Sequence, residues 1–117
     1  KMICTNPDLI VHRGSIKEYC AGTLAEIFKE LGGEVIYFGK PYPDIYKFCM
    51  KKNEKILVIG DNIRTDIIGA NKMKFDSLFI TNGIHKKDFL DLSIRNYDKV
   101  LSTYGAKTNY YQERLIW

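Results

Sequence analysis

Residues 55–70 run Lys-Ile-Leu-Val-Ile-Gly-Asp-Asn-Ile-Arg-Thr-Asp-Ile-Ile-Gly-Ala, and no other part of the chain constrains its folding as strongly. The unbroken apolar run at 56–59 is that of a strand buried on both faces, and Gly60 ends it. Asp61 then stands at the carboxyl end of that strand. Asp66 follows five residues later, just after Thr65, which has the chemistry of a helix N-cap. Two carboxylates are thereby expected to face one crevice. Carboxyl ends of buried parallel strands are where open α/β sheets bind ligands, and paired carboxylate oxygens are the donors a hard cation such as magnesium takes. Gly69 and Ala70, one turn into the helix, let it pack closely on the sheet and hold both acids in place. A metal-free account fits the same residues. Gly-Asp is a common turn pair, and Asp near a helix start is favoured by capping and by the helix dipole.

Working upstream, Phe38-Gly39-Lys40-Pro41 supplies a second feature. Residues 35–38 are expected to form a short strand, Gly39 and Pro41 mark a sharp turn, and Pro43 suits the first turn of a helix running to about residue 52. A lysine held in such a turn is a point charge able to neutralise a phosphate or a metal-bound carboxylate, although most surface lysines are simply solvated. The order carries more than either feature alone. A Gly-Lys-Pro turn, a helix, and a buried strand ending in Gly-Asp-x-x-x-Thr-Asp resembles the haloacid dehalogenase (HAD) superfamily of hydrolases.

The resemblance is to subclass IIA, the capped, p-nitrophenylphosphatase-like enzymes. Thr5-Asn6-Pro7-Asp8 resembles that subclass's signature at the return from cap to core, and Arg13-Gly14 fits as well. The closing Glu113-Arg114-Leu115-Ile116-Trp117 is similar to the ending of one branch. What the resemblance implies is an α/β, Rossmann-like core of parallel strands with crossover helices. It also implies Mg2+-dependent hydrolysis of a small phosphorylated metabolite through an aspartyl-phosphate. By the same resemblance Lys40 and Asp66 are catalytic, Asp61 and Asp66 hold the metal, and Asn6, Asp8 and Lys40 meet substrate. Read without it, Asn6 and Asp8 are turn-formers, since Pro7 forces Asn6 towards extended conformations and both side chains can cap the turn.

One departure from the family matters as much as the matches. Its Asp-x-Asp motif, which supplies nucleophile and general acid, is absent from these residues; Asp88 and Asp91 are spaced differently and lie downstream. The Ser/Thr phosphate-binding motif expected before the cap is missing too. The expectation is therefore an incomplete core lacking the nucleophile strand: residues 1–117 as a C-terminal portion, with 1–8 the end of the cap and the return to the core. Such a chain would be inactive alone and would self-associate through the sheet edge left open beside residues 56–59. Two other classes stay open. One is a non-catalytic remnant acting as a binding or assembly module. The other is a receiver-like signalling domain, which chain order disfavours because receivers place their lysine after the acids.

Composition narrows the remaining classes. A chain of 117 residues has room for a modest core. Its formal charge of +4 is spread along the sequence, with Lys51-Lys52 and Lys86-Lys87 as adjacent basic pairs, too diffuse for nucleic acid. Cys4, Cys20 and Cys49 are odd in number and lack Cys-x-x-Cys spacing, which suits reduced thiols. No apolar run approaches the roughly 20 residues of a membrane span. A cytoplasmic protein with no membrane partner is expected.

The rest of the chain yields a coarse outline. Residues 2–4 suggest a strand, and 18–31 a helix with apolar positions at 19, 24, 27, 28 and 31, stopped by Gly32-Gly33. Residues 77–80 suggest another strand, ending in Thr81-Asn82-Gly83, and 86–92 another helix. Thr81, His12 and Arg13 are taken as turn or solvated residues. From residue 93 onward the period is lost, and the dense aromatics are expected either to pack or to form an interface.

Overall fold

The computed structural model describes residues 1–52, 54–90 and 93–116, in two compact units, Lys1–Lys51 and Lys52–Trp117. Asp91, Leu92 and Trp117, which belong to the expected helix at 86–92 and the expected C-terminal signature, lie outside the described residues.

In the first unit β1 (Met2–Cys4) pairs in parallel with β4 (Val35–Tyr37), in the register Met2↔Val35 and Cys4↔Tyr37. Helix α1 (Ala21–Glu30) lies between them in sequence and packs on both strands. It buries Gly22 and Ala25. Small residues are required there, because a Cβ at Gly22 would overlap the carbonyls of Pro7 and Asp8. The expected helix at 18–31 is corrected at its start. Residues Ile16–Tyr19 form β3, which pairs antiparallel with β2 (Ile10–Arg13) around a turn where Gly14 takes φ +62°. Tyr19 faces Ile10 across this hairpin, and Arg13 Nε binds Glu18 Oε2 at 3.0 Å. A glycine able to take a left-handed turn between strand-forming residues outweighed the helical spacing of Tyr19. Helix α2 (Pro43–Cys49) starts on its proline as expected but stops at Cys49, short of residue 52, with Met50 extended.

The second unit is a parallel three-stranded sheet ordered β5 (Leu57–Gly60), β6 (Asp76–Ile80), β7 (Tyr110–Gln112). Leu57 pairs with Asp76, and Leu78 with Tyr110. The strand after the lysine turn does not behave as expected in one respect. Among the described residues β5 has a single strand neighbour, and Leu57 and Ile59 remain 47% and 38% exposed, so it is not buried on both faces. Within the first unit, the strand expected at 35–38 is β4 and pairs with β1.

From β5 the chain enters a π-helical turn, Ile63–Ile67, continuous with α3 (Ile68–Met73). Its N-cap is Asn62, whose side chain accepts from the Arg64 N–H at 3.0 Å, and not Thr65 as expected. Asn and Thr can both cap; here the one nearer the strand end starts the helix, and Thr65 is buried inside it. The segment after β6 forms a 3-10 turn, Lys86–Phe89, where a longer helix was expected. Helix α4 (Ile94–Thr103), capped by Ser93, and β7 were both missed by the sequence reading.

The core of this unit gathers Ile63, Ile67, Phe79, Phe89, Tyr97, Leu101 and Ala106. Phe79 meets Phe89 edge-on at 5.1 Å, and Tyr97 stacks on Tyr111 at 4.1 Å. Burial pushes the Tyr97 phenol up to about 12, which keeps it neutral in the core. The dense C-terminal aromatics therefore pack in part. Two side-chain amides stitch the approach to β7. Asn71 donates to the Lys107 carbonyl at 2.7 Å and accepts its N–H at 2.8 Å, while Asn109 accepts from Ser77 N at 3.0 Å. Among the described residues no helix is long and apolar enough to cross a membrane.

Candidate active site

In the first unit the turn at residues 5–8 and the lysine turn meet. Phe38 N donates to the Cys4 carbonyl at 2.8 Å, extending the β1–β4 pairing into both turns. Gly39 takes φ +87°, and a Cβ there would lie 2.6 Å from the Thr5 carbonyl oxygen and 3.2 Å from Pro7 Cδ. Only glycine suits that position, in conformation and in space. Lys40 is thereby presented, exposed, on a turn packed against Thr5 and Pro7, and its bond to Pro41 is cis. Asn6 Oδ1 accepts the Asp8 N–H at 3.2 Å, closing the local turn expected from the sequence. Asn6, Asp8 and Lys40 thus lie on two turns in contact.

In the second unit the two acids bracket the end of β5. Asp66 is 4% exposed, and its Oδ2 accepts the Asn62 N–H at 3.0 Å. Its carboxylate reaches back so closely that a Cβ at Gly60 would overlap it. The π-helical turn brings this about, since it widens the first turn and returns the residue-66 side chain over the strand end. Asp61 is half-buried and held from the other side. Its Oδ2 accepts the Ile84 N–H at 3.0 Å, and a Cβ at Gly83 would overlap the carboxylate. Each acid thus has one oxygen fixed by a backbone donor. A carboxylate has two oxygens with several lone pairs, so one backbone hydrogen bond does not by itself exhaust its ligating capacity. Hard oxygen donors fixed in this way fit a magnesium or calcium ion better than a soft metal. They do not form a complete cage: among the described residues no three His, Cys, Asp or Glu side chains are grouped to hold an ion.

The sequence reading missed the loop that holds Asp61. His85, 6% exposed, lies edge-on to Tyr104 at 5.2 Å and near Phe79 at 6.3 Å. Its Nδ1 is 3.3 Å from Asp88 Oδ2. Burial lowers its pKa; Asp88 and, more weakly, Asp61 oppose that shift, and the Arg64 guanidinium, which lies over the Tyr104 ring at 5.4 Å, adds to it. The signal available in the sequence was the i,i+3 spacing of His85 and Asp88, which a single helical turn brings together.

Three comparisons with known proteins bear on this arrangement. The HAD-hydrolase-like family model matches residues 37–106, more than half of the chain. The chain belongs to that family, in its subclass IIA, phosphatase-like branch. Ribonucleotide monophosphatase NagD of Escherichia coli (strain K12) is 30% identical over 95 residues, covering 78% of this chain and 37% of that protein. A haloacid dehalogenase-like hydrolase from Brucella suis 1330 is 31% identical, with a TM-score of 0.74, over 97% of this chain and 44% of the other. The p-nitrophenyl phosphatase of Archaeoglobus fulgidus shares the fold at 20% identity, with a TM-score of 0.67, over 94% of this chain and 42% of the other. The chain spans about two-fifths of the length of these relatives. Mixed α/β structure with parallel strands, expected from the sequence, is what they share with it.

Proposed function

We propose that this chain contributes the cation-binding and charge-stabilising part of a phosphohydrolase that cleaves a small phosphate monoester with Mg2+ through an aspartyl-phosphate. The observation that carries the reading is the pair Asp61 and Asp66, fixed on either side of one strand end within a family of hydrolases. Asp61 would ligate the ion directly, and Asp66 would hold the ion and its waters. Bound there, the cation would neutralise charge on the transferring phosphoryl group. Lys40 would add a second positive charge, acting on substrate phosphate with Asn6 and Asp8 beside it. The attacking Asp would come from an Asp-x-Asp outside these residues.

Millimolar magnesium should shift the Asp61 backbone and carboxylate resonances first, with weak affinity, because an ion this reluctant to shed water relies on several carboxylates and phosphate. In Asp61→Asn the response should disappear. An equal response in that variant would remove the metal assignment.

A second reading concerns partners. The side of β5 that has no strand neighbour among the described residues, with Leu57 and Ile59 exposed, supports strand addition there, by a second copy or by another segment.

A further inference from the structure

The geometry points to His85 as a positioning residue for Asp61, acting through the loop it anchors and not by contact with any reacting atom. The inference rests on Asp61 being the cation ligand only for its functional meaning; the positioning itself is a property of the loop.

Three links carry it. The Ile84 N–H donates to Asp61 Oδ2 at 3.0 Å, so the carboxylate's orientation depends on where residue 84 lies. Gly83 packs on the same carboxylate with no room for a side chain, so a shift of this loop is felt at once by Asp61. His85, the next residue, is the point at which the loop enters the core, edge-on to Tyr104 and near Phe79. Backbone bonds then propagate its position: Lys86 N donates to Gly83 O at 3.0 Å and Asp88 N to His85 O at 2.9 Å. A residue anchored by its ring thus fixes the peptide that fixes the acid.

The tautomer follows from the partners. A carboxylate only accepts, so the 3.3 Å contact with Asp88 Oδ2 puts the proton on Nδ1. Nε2 then carries a lone pair, is buried, and has no hydrogen-bond partner among the described residues. Leaving a buried acceptor unmatched is costly, and such a group persists where its surroundings require it. Phenylalanine would fill the same space without that cost, but it could not reach Asp88. What the imidazole adds is its Nδ1, 3.3 Å from Asp88 Oδ2 on the 3-10 turn Lys86–Phe89 and 3.5 Å from the Tyr104 hydroxyl. Burial favours the neutral ring; of the charged groups that face it, Asp88 and Asp61 oppose that shift and Arg64 adds to it.

Asp88→Ala tests this with the buried imidazole still in the chain, because the Asp88 side chain is 50% exposed and its removal opens no cavity in the core. The expected result is that the Ile84 amide exchanges about tenfold faster, the scale of one net hydrogen bond, with the urea midpoint of the unit falling by no more than the worth of that one bond. Magnesium should then saturate the Asp61 shift only at several-fold higher concentration. Asp88→Asn, whose carbonyl oxygen still accepts from Nδ1, should behave as the unaltered chain, and His85→Ala should exceed Asp88→Ala. If Ile84 exchange is unaltered in both Asp88→Ala and His85→Ala, the loop is held by other means and the inference is overturned. If Ile84 responds but magnesium moves no Asp61 resonance in the unaltered chain, His85 still positions Asp61, and it is the cation reading that falls.

Discussion

Two glycines do at the residue scale what no other side chain could. Gly60 and Gly83 let the backbone lie directly on Asp66 and Asp61, each of which also accepts a backbone N–H, from Asn62 and Ile84. Neither glycine has a positive φ, so space, not backbone conformation, is what excludes a larger residue. Gly83→Ala should therefore cost about 1–3 kcal/mol through overpacking and move the Asp61 carboxylate resonance, measured by urea unfolding and carbon NMR. An unshifted carboxylate in a stable variant would contradict the close approach. His85 gives the pH dependence. Burial, the largest cause, lowers its pKa below the usual 6.5, so below that pH the unfolded chain binds a proton that the fold resists. Its contribution is complete above about pH 6.5 and is lost as pH falls from there towards the folded value. Stability measured at pH 7.5 and 5.5 should differ, and the difference should shrink in His85→Phe. An undiminished difference there would assign the pH response to other groups.

At the scale of elements, β5 carries two expectations at once, burial of its apolar run and an edge left open beside it. Its apolar run predicts burial on both faces, yet with β6 as its single strand neighbour among the described residues it keeps Leu57 and Ile59 in view of solvent. Open edges of that kind are templates for another strand. The chain is expected to dimerise or aggregate with concentration, and Leu57→Lys should suppress this, by light scattering and amide exchange across β5. A monodisperse monomer at high concentration with those amides protected would refute it. The strand–acid–helix order from 56 to 73 and the lysine turn were legible because glycines and prolines punctuate them and each apolar run has one clear period. Helix α4 was legible in principle, since Tyr97, Val100, Leu101 and Tyr104 repeat at helical spacing behind the Ser93 cap, but the surrounding tyrosines masked that period. The hairpin at 10–19 was hidden for the opposite reason. Its strand Ile16–Tyr19 runs straight into a helical pattern, and only cross-strand pairing, which no local window contains, decides the boundary. The hold of Ile84 on Asp61 spans 23 residues and leaves no periodic trace.

For the whole molecule, the family match at residues 37–106 begins in the first unit and ends in the second, so it takes in both the lysine turn and the acid pair. No Asp-x-Asp occurs in the 117 residues. A polypeptide of these residues alone is expected to leave p-nitrophenyl phosphate at the background rate. Adding a separately made polypeptide with an Asp-x-Asp strand should give magnesium-dependent turnover, which Asp61→Ala abolishes and Lys40→Ala lowers about a hundredfold or more. Vigorous magnesium-dependent turnover by the unassisted chain after repurification would place the nucleophile within it. The second unit also shows how little chemistry can fix a distant connection. Asn71, at the end of α3, meets Lys107 with one donor and one acceptor, as a neighbouring strand's peptide would, across a sequence separation of 36 residues. Exchange of a single NH2 for an oxygen, which is all that separates asparagine from aspartate, would set a carboxylate against the Lys107 carbonyl. The shape would survive and the message would invert, so this join is written in the identity of one atom.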